Sequence, residues 1–135
     1  MTSPAFLLDT NILSAFVRDP RGPATQRLRQ VGETSACTSV VVACELRFGA
    51  AKSQNARVTQ RVNDILDRLP VLPLEPAAAI DYAEIRARLE SSGTVIGPND
   101  LLIAAHARSL GMILATGNSD EFRRVPGLGV ENWLA

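Results

Sequence analysis

The chain has 135 residues, 46% of them hydrophobic and 21% charged, the balance of one globular domain (1–135) that can close a core without disulfides or structural metal. Fourteen Lys and Arg offset fourteen Asp and Glu, which excludes a coat protein held to nucleic acid by bulk positive charge but not an enzyme that grips a few phosphates. The longest apolar runs, Val40–Cys44 and Leu101–Ala105, have five residues each, too short to cross a bilayer. No basic leader region precedes Ala5–Leu8, and that run is too short for the apolar part of a signal segment.

In chain order, Ala5–Leu8 reads as a buried strand that stops at Asp9. Thr10–Val17 and Pro23–Val31 read as helices, Ala36–Ser39 as a strand, and Val40 to about Ala51 as an apolar helix. Val58, Val62, Ile65, Leu66 and Leu69 recur at the spacing of one helical face. Val71–Leu74 is a strand with a proline bend. Pro76–Leu89 is an Ala-rich helix with Pro in its first turn. Asp100–Leu110 is a buried helix closed by Gly111, Met112–Ala115 is a strand, and Val130 marks one more. Strands separated by helices of this length pair in parallel through crossovers. The expected fold is a three-layer α/β/α sandwich on a central, mainly parallel sheet. In such open sheets, ligands gather beyond the carboxyl ends of the strands, where Asp9 falls.

Thirteen of the fourteen cations are Arg, a side chain that matches phosphate oxygens in pairs, though genomic base composition produces the same bias. Arg47, Lys52, Arg57 and Arg61 form a basic run with no intervening acid, readable also as a solvated helix face. Cys37 and Cys44 lie in apolar surroundings without a CxxC, and both are expected as buried free thiols of a reducing, cytoplasmic compartment. One histidine and these two thiols supply no zinc-ligand set. His106 lies six residues after Asp100 and off its helical face, so it reads as a core histidine. No phosphate-binding glycine loop or nucleophile-elbow serine is present.

Three acids stand beside core-forming runs. Asp9 and Asp100 each open a helix and can serve as caps for its free N–H groups. Glu45 has apolar neighbours on all sides, so its charge needs an Arg47 or Arg86 partner, a path to water, or a cation. Thr116–Phe122 is polar after a strand, which suits a loop. Taken together, converging carboxylates repel unless a divalent cation holds them, and an oxygen-only donor set suits Mg²⁺ or Mn²⁺.

Phe6–Leu13, with Asp9-Thr10-Asn11 at its centre, resembles the opening motif of PIN-domain proteins. Glu45–Gly49, Asn99–Ala107, Thr116-Gly117-Asn118, Arg123–Leu128 and Asn132-Trp133 follow in that family's order, so the resemblance covers the whole chain. The compact length is similar to VapC-type toxins of bacterial toxin–antitoxin pairs. The resemblance implies an Mg²⁺- or Mn²⁺-dependent endoribonuclease. It implies a homodimer inhibited by a small VapB-like antitoxin in a hetero-oligomer, with no membrane attachment. It assigns Asp9, Glu45 and Asp100 as metal-binding and catalytic acids, with ions that bind a scissile phosphate and lower the pKa of an attacking water. Thr10, Asn11, Thr116 and Asn118 become polar support. The family often has an acid where this chain has Asn118, whose carbonyl oxygen can still ligate, and Asp120 or Glu121 can lend a fourth carboxylate if the loop turns inward. Glu121 is favoured because the apolar Phe122 beside it fixes the loop's direction. Arg47 is the candidate for holding RNA backbone. A non-catalytic module of the same fold that binds RNA or protein is the competing reading. Phe48, Val58, Val62, Ile65 and Leu66 supply apolar surface that faces either a partner or the core.

Overall fold

The computed structural model describes residues 4–135. Five parallel strands form one sheet in the order β3-β2-β1-β4-β5: β1 (Phe6–Leu8), β2 (Ala36–Ser39), β3 (Val71–Leu72), β4 (Ile113–Thr116) and β5 (Val130–Asn132). Seven helices connect them: α1 (Thr10–Arg18), α2 (Pro23–Val31), α3 (Val40–Ser53), α4 (Ala56–Arg68), α5 (Ala77–Ser91), α6 (Pro98–Ser109) and α7 (Ser119–Phe122). The result is the expected three-layer α/β/α sandwich.

The sheet's hydrophobic character dictates its position. Every residue of β1 and β2 is buried, as parallel strands covered on both faces must be. Leu7 pairs with Cys37 on one side and Leu114 on the other. From β1 the chain winds outward to β2 and β3, then returns across the sheet to β4 and β5. The order therefore reverses between β1 and β4, and a crevice opens at their carboxyl ends. β3 ends after two residues instead of running to Leu74, because Pro73 has no N–H for the ladder.

The amphipathic stripe of α4 turns inward: Val62 and Leu66 are buried, and Val58 and Ile65 pack against the core. Of the five residues weighed as partner surface, only Phe48 is exposed, at 68%. Cys37 is buried, but Cys44 is exposed, contrary to expectation. It falls between Val40 and Phe48 at four-residue spacing, and all three lie on the outer side of α3. The unbroken apolar run Val40–Cys44 gives no period from which that side is readable. Ser119–Phe122, expected as loop, forms one helical turn anchored by the fully buried Phe122. A 3₁₀ turn, Glu33–Ser35, precedes β2.

Two polar clusters fix the outer elements. Arg108 on α6 pairs with Asp81 at 2.7 Å and Glu84 at 3.2 Å on α5, and donates to the Pro126 carbonyl at 2.9 Å. Glu131 on β5 accepts from Arg27 of α2 and from the Trp133 indole N–H. Within the core, His106 Nδ1 lies 2.8 Å from Ser39 Oγ, while Ser39 Oγ also accepts the Val41 N–H at 3.0 Å. This buried pair ties the start of α3 to α6, and burial lowers the histidine pKa, so the ring is neutral. Replacing Ser39 by Ala removes an α3 cap and strands a buried imidazole nitrogen. We expect Ser39→Ala to lose about 2 kcal/mol in urea unfolding at unchanged m value.

Candidate active site

The crevice between β1 and β4 is where the acids meet. Asp9 immediately follows β1 and is only 4% exposed. Its Oδ1 accepts the Thr10 N–H at 2.7 Å, capping α1. Its Oδ2 accepts the Thr116 hydroxyl at 2.8 Å, bridging the strands at the switch point. The capping reading of Asp9 is therefore realised, by a side chain that also lines the cleft. Burial pushes its pKa up, the Thr116 and Thr10 hydrogen bonds oppose that, and the charges of Glu45 and Glu121 add to the rise.

Glu45 projects from α3 and is half-buried. Its Oε1 accepts the Thr10 hydroxyl at 2.6 Å, and Asn99 approaches its other oxygen at 3.5 Å. Neither Arg47 nor Arg86 pairs with it: Arg47 donates to Asn63 on α4, and Arg86 binds Glu90. Arg47 thus lies outside the cleft lining. Asp100 sits in the first turn of α6, where the helix dipole favours negative charge. Even so, its pKa is pushed up to about 7, by burial first, then by the charges of Glu121 and Asp9 and a hydrogen bond with Glu121.

Glu121 enters from α7. Its carboxylate accepts from the Gly97 N–H at 3.3 Å and from the Asn118 side-chain amide. Asp120 is fully exposed and faces Arg123. Of the two candidates for a fourth carboxylate, Glu121 is the one beside Asp100. The supporting polar residues hold the loop after β4. Asn11 Oδ1 accepts the Gly117 N–H at 3.0 Å, and Thr116 Oγ1 accepts the Asn118 N–H at 3.0 Å. A Cβ at Gly117 would lie 2.3 Å from a Leu134 methyl, so the loop passes close against the C-terminal segment.

Asp9, Thr10, Asn11, Glu45, Asp100 and Asn118 border an open cleft of about 570 Å³, and Glu121 is not part of its lining. Ser14 and Arg18 of α1 also line it and were not expected from sequence. Their spacing of three and seven residues from Asn11 was the available signal. Among the described residues, no three acids converge to the spacing of a closed metal site. The donor chemistry nevertheless fits a hard divalent cation, because all four acids offer oxygen. Burial first, and the neighbouring charges of Glu121 and Asp9 second, raise the Asp100 pKa, a charge cost that such a cation would offset.

A parallel α/β/α sandwich with carboxylates crowded at its topological switch point defines an acidic-cleft α/β protein. The PIN domain family matches residues 6–128. The tRNA(fMet)-specific endonuclease VapC of Shigella flexneri is 41% identical over 130 residues, 95% of this chain and 97% of that protein. Ribonuclease VapC2 of Haemophilus influenzae is 38% identical over 130 residues, 96% of this chain and 98% of that protein. DNA-bound VapBC from Salmonella typhimurium superposes with a TM-score of 0.90 at 36% identity, covering 96% of this chain and 98% of the other. The chain belongs to the PIN-domain family and, within it, to the VapC group.

The Asp100 shift has a consequence for the metal-free protein. A carboxyl whose folded pKa exceeds its ordinary 3.8 stabilises the fold fully below that value and loses the contribution as pH rises toward about 7. Asp100→Asn should therefore raise the melting temperature of chelator-treated protein at about pH 8 by roughly 3 °C or more. The difference should vanish near about pH 4. A calorimetric pH series of both proteins checks it.

Proposed function

We propose that the chain is a divalent-metal-dependent endoribonuclease acting as the toxin of a cytoplasmic toxin–antitoxin pair. The observation that carries this reading is that Asp9, Glu45 and Asp100, from three separate elements, line one cleft, with Glu121 close beside Asp100. The relatives named ribonuclease and endonuclease support hydrolysis of RNA, and the VapBC neighbour supports a VapB-type antitoxin as the partner. Among the described residues, no helix is long and apolar enough to cross a membrane. The homodimer implied by the family resemblance belongs to the same reading, with the outward Val40, Cys44 and Phe48 side of α3 available to a partner.

Asp9, Glu45 and Asp100 are the residues that would hold Mg²⁺ or Mn²⁺, with Glu121 as the fourth donor. A divalent cation bound there supplies charge neutralisation and acidifies an attacking water. The chain's own contribution is positioning. Thr116 and the Thr10 N–H fix the Asp9 carboxyl in place and oppose the rise in its pKa that burial causes. Thr10 Oγ1 turns Glu45 toward Asp9, and Asn118 steers Glu121. Asn11 holds the loop that carries Asn118 in place by accepting the Gly117 N–H. Asp100 needs neither a new contact nor movement to gain its charge; it needs only loss of its proton, which a cation favours.

Asp9→Asn and Asp100→Asn should each lower Mn²⁺-dependent cleavage of labelled RNA by about 100-fold or more with the fold intact. Cleavage that survives chelator, or that is undiminished in Asp9→Asn, would falsify the reading. For the fourth donor, calorimetry should show Glu121→Gln weakening Mn²⁺ about 10-fold and Asn118→Asp tightening it. Unchanged metal affinity and cleavage in Glu121→Gln would reduce Glu121 to a loop acid.

A further inference from the structure

Asn11, Ser14 and Arg18 follow one another along α1 at the spacing of a single helical face, and that face lines the acid cleft. Arg18 is the only cationic side chain in the lining. Like most of the chain's cations, Arg18 makes no ion pair among the described residues; it differs from the others in sharing the cleft with the carboxylates. Its position in the last turn of α1 offers only the weak attraction of a helix end, about 0.3–1 kcal/mol at an exposed site. A solvated guanidinium left unpaired there is free to take an anion.

We propose that Arg18 binds a backbone phosphate of the RNA, next in line to the phosphate at the acids, and that Arg47 has no share in this contact. The inference rests on the ribonuclease reading. An acid cleft repels a polyanion, so a strand crossing it needs a local cation to set its direction. A guanidinium remains charged at all working pH values and matches two phosphate oxygens with its planar fork. Arg18 lies nine residues beyond Asp9, about 13 Å along the helix, which suits a neighbouring phosphate and not the one at the acids. Arg47, by contrast, is occupied by Asn63 and lies outside the cleft lining.

The test uses the full chain carrying Asp9→Asn, a short fluorescein-labelled single-stranded RNA of mixed sequence, and anisotropy across a salt series. Adding Arg18→Gln should weaken binding about 10-fold at low salt and flatten the log–log salt slope by about 0.7, the signature of one lost phosphate contact. Arg18→Lys should keep the slope while restoring only part of the affinity. In the cleaving protein, Arg18→Gln should raise KM more than it lowers kcat, with Mn²⁺ affinity within about 2-fold of wild type. An unchanged slope in Arg18→Gln overturns the proposal, as does an equal loss of Mn²⁺ binding or a slope change found in Arg47→Gln alone. Failure of wild-type protein to cut RNA with Mn²⁺ refutes the ribonuclease reading separately, because the salt slope is measured without cleavage.

Discussion

Repulsion among Asp9, Glu45, Asp100 and Glu121 is the constraint around which the rest of the molecule is arranged. Four carboxylates in and beside one cleft cost free energy that no core packing at that spot repays. The chain spreads the cost in three ways. Hydroxyl and amide donors from Thr10, Thr116, Asn118 and the Gly97 backbone take up individual oxygens. The positive ends of α1 and α6 begin beside the cluster. The Asp100 carboxyl, pushed up to about 7, gives up its charge more readily than an ordinary carboxylate as pH falls. What remains uncompensated is the part a cation neutralises on the proposed reading.

Such a cluster survives only on a rigid base. The sheet provides it, because β1, β2 and β4 are buried on both faces and hydrogen-bonded on both edges. Asp9 N–H donates to the Ala115 carbonyl at 2.9 Å, extending the β1–β4 ladder by one step into the site. Glu45 and Asp100, on helices, inherit their positions less directly. The buried Ser39–His106 pair couples the first turn of α3 to the body of α6 and so constrains the separation of those two acids. Phe122 plays the same part for α7, its ring filling the core so that Glu121 lies beside Asp100.

The sheet and most helices were readable from sequence because apolar runs ended at definite residues. Phe6–Leu8 stops at Asp9, and the Met112–Ala115 run stops at Thr116, so both members of the bridging hydrogen bond stood at strand ends. The period of Val62 and Leu66 likewise predicted a buried face. Where period was absent, direction was unreadable. The first turns of α3, Val40–Cys44, are apolar without a break, so nothing there distinguished the inward Val42 from the outward Cys44. Four residues of α7 are too few to show a period, and their polar composition imitates a loop. Arg18 was hidden differently: a basic residue in a last turn already has a sufficient local reason to be there, and its second role depends on what lies across the cleft.

The charge distribution also bears on how RNA reaches an acidic cleft. A chain with equal numbers of cations and acids exerts little long-range pull on a polyanion, and at physiological salt exposed charges fade within about 8 Å. The exposed run of Arg47, Lys52, Arg57 and Arg61 lies on α3 and α4 outside the cleft lining. Encounter is therefore decided by short-range contacts at the cleft itself. On the proposed reading, Asp9, Glu45 and Asp100 would hold a cation whose charge would offset the repulsion these carboxylates present to a phosphate. Each ligand lowers the cost of binding the other, and thermodynamic linkage makes the gain equal in both directions.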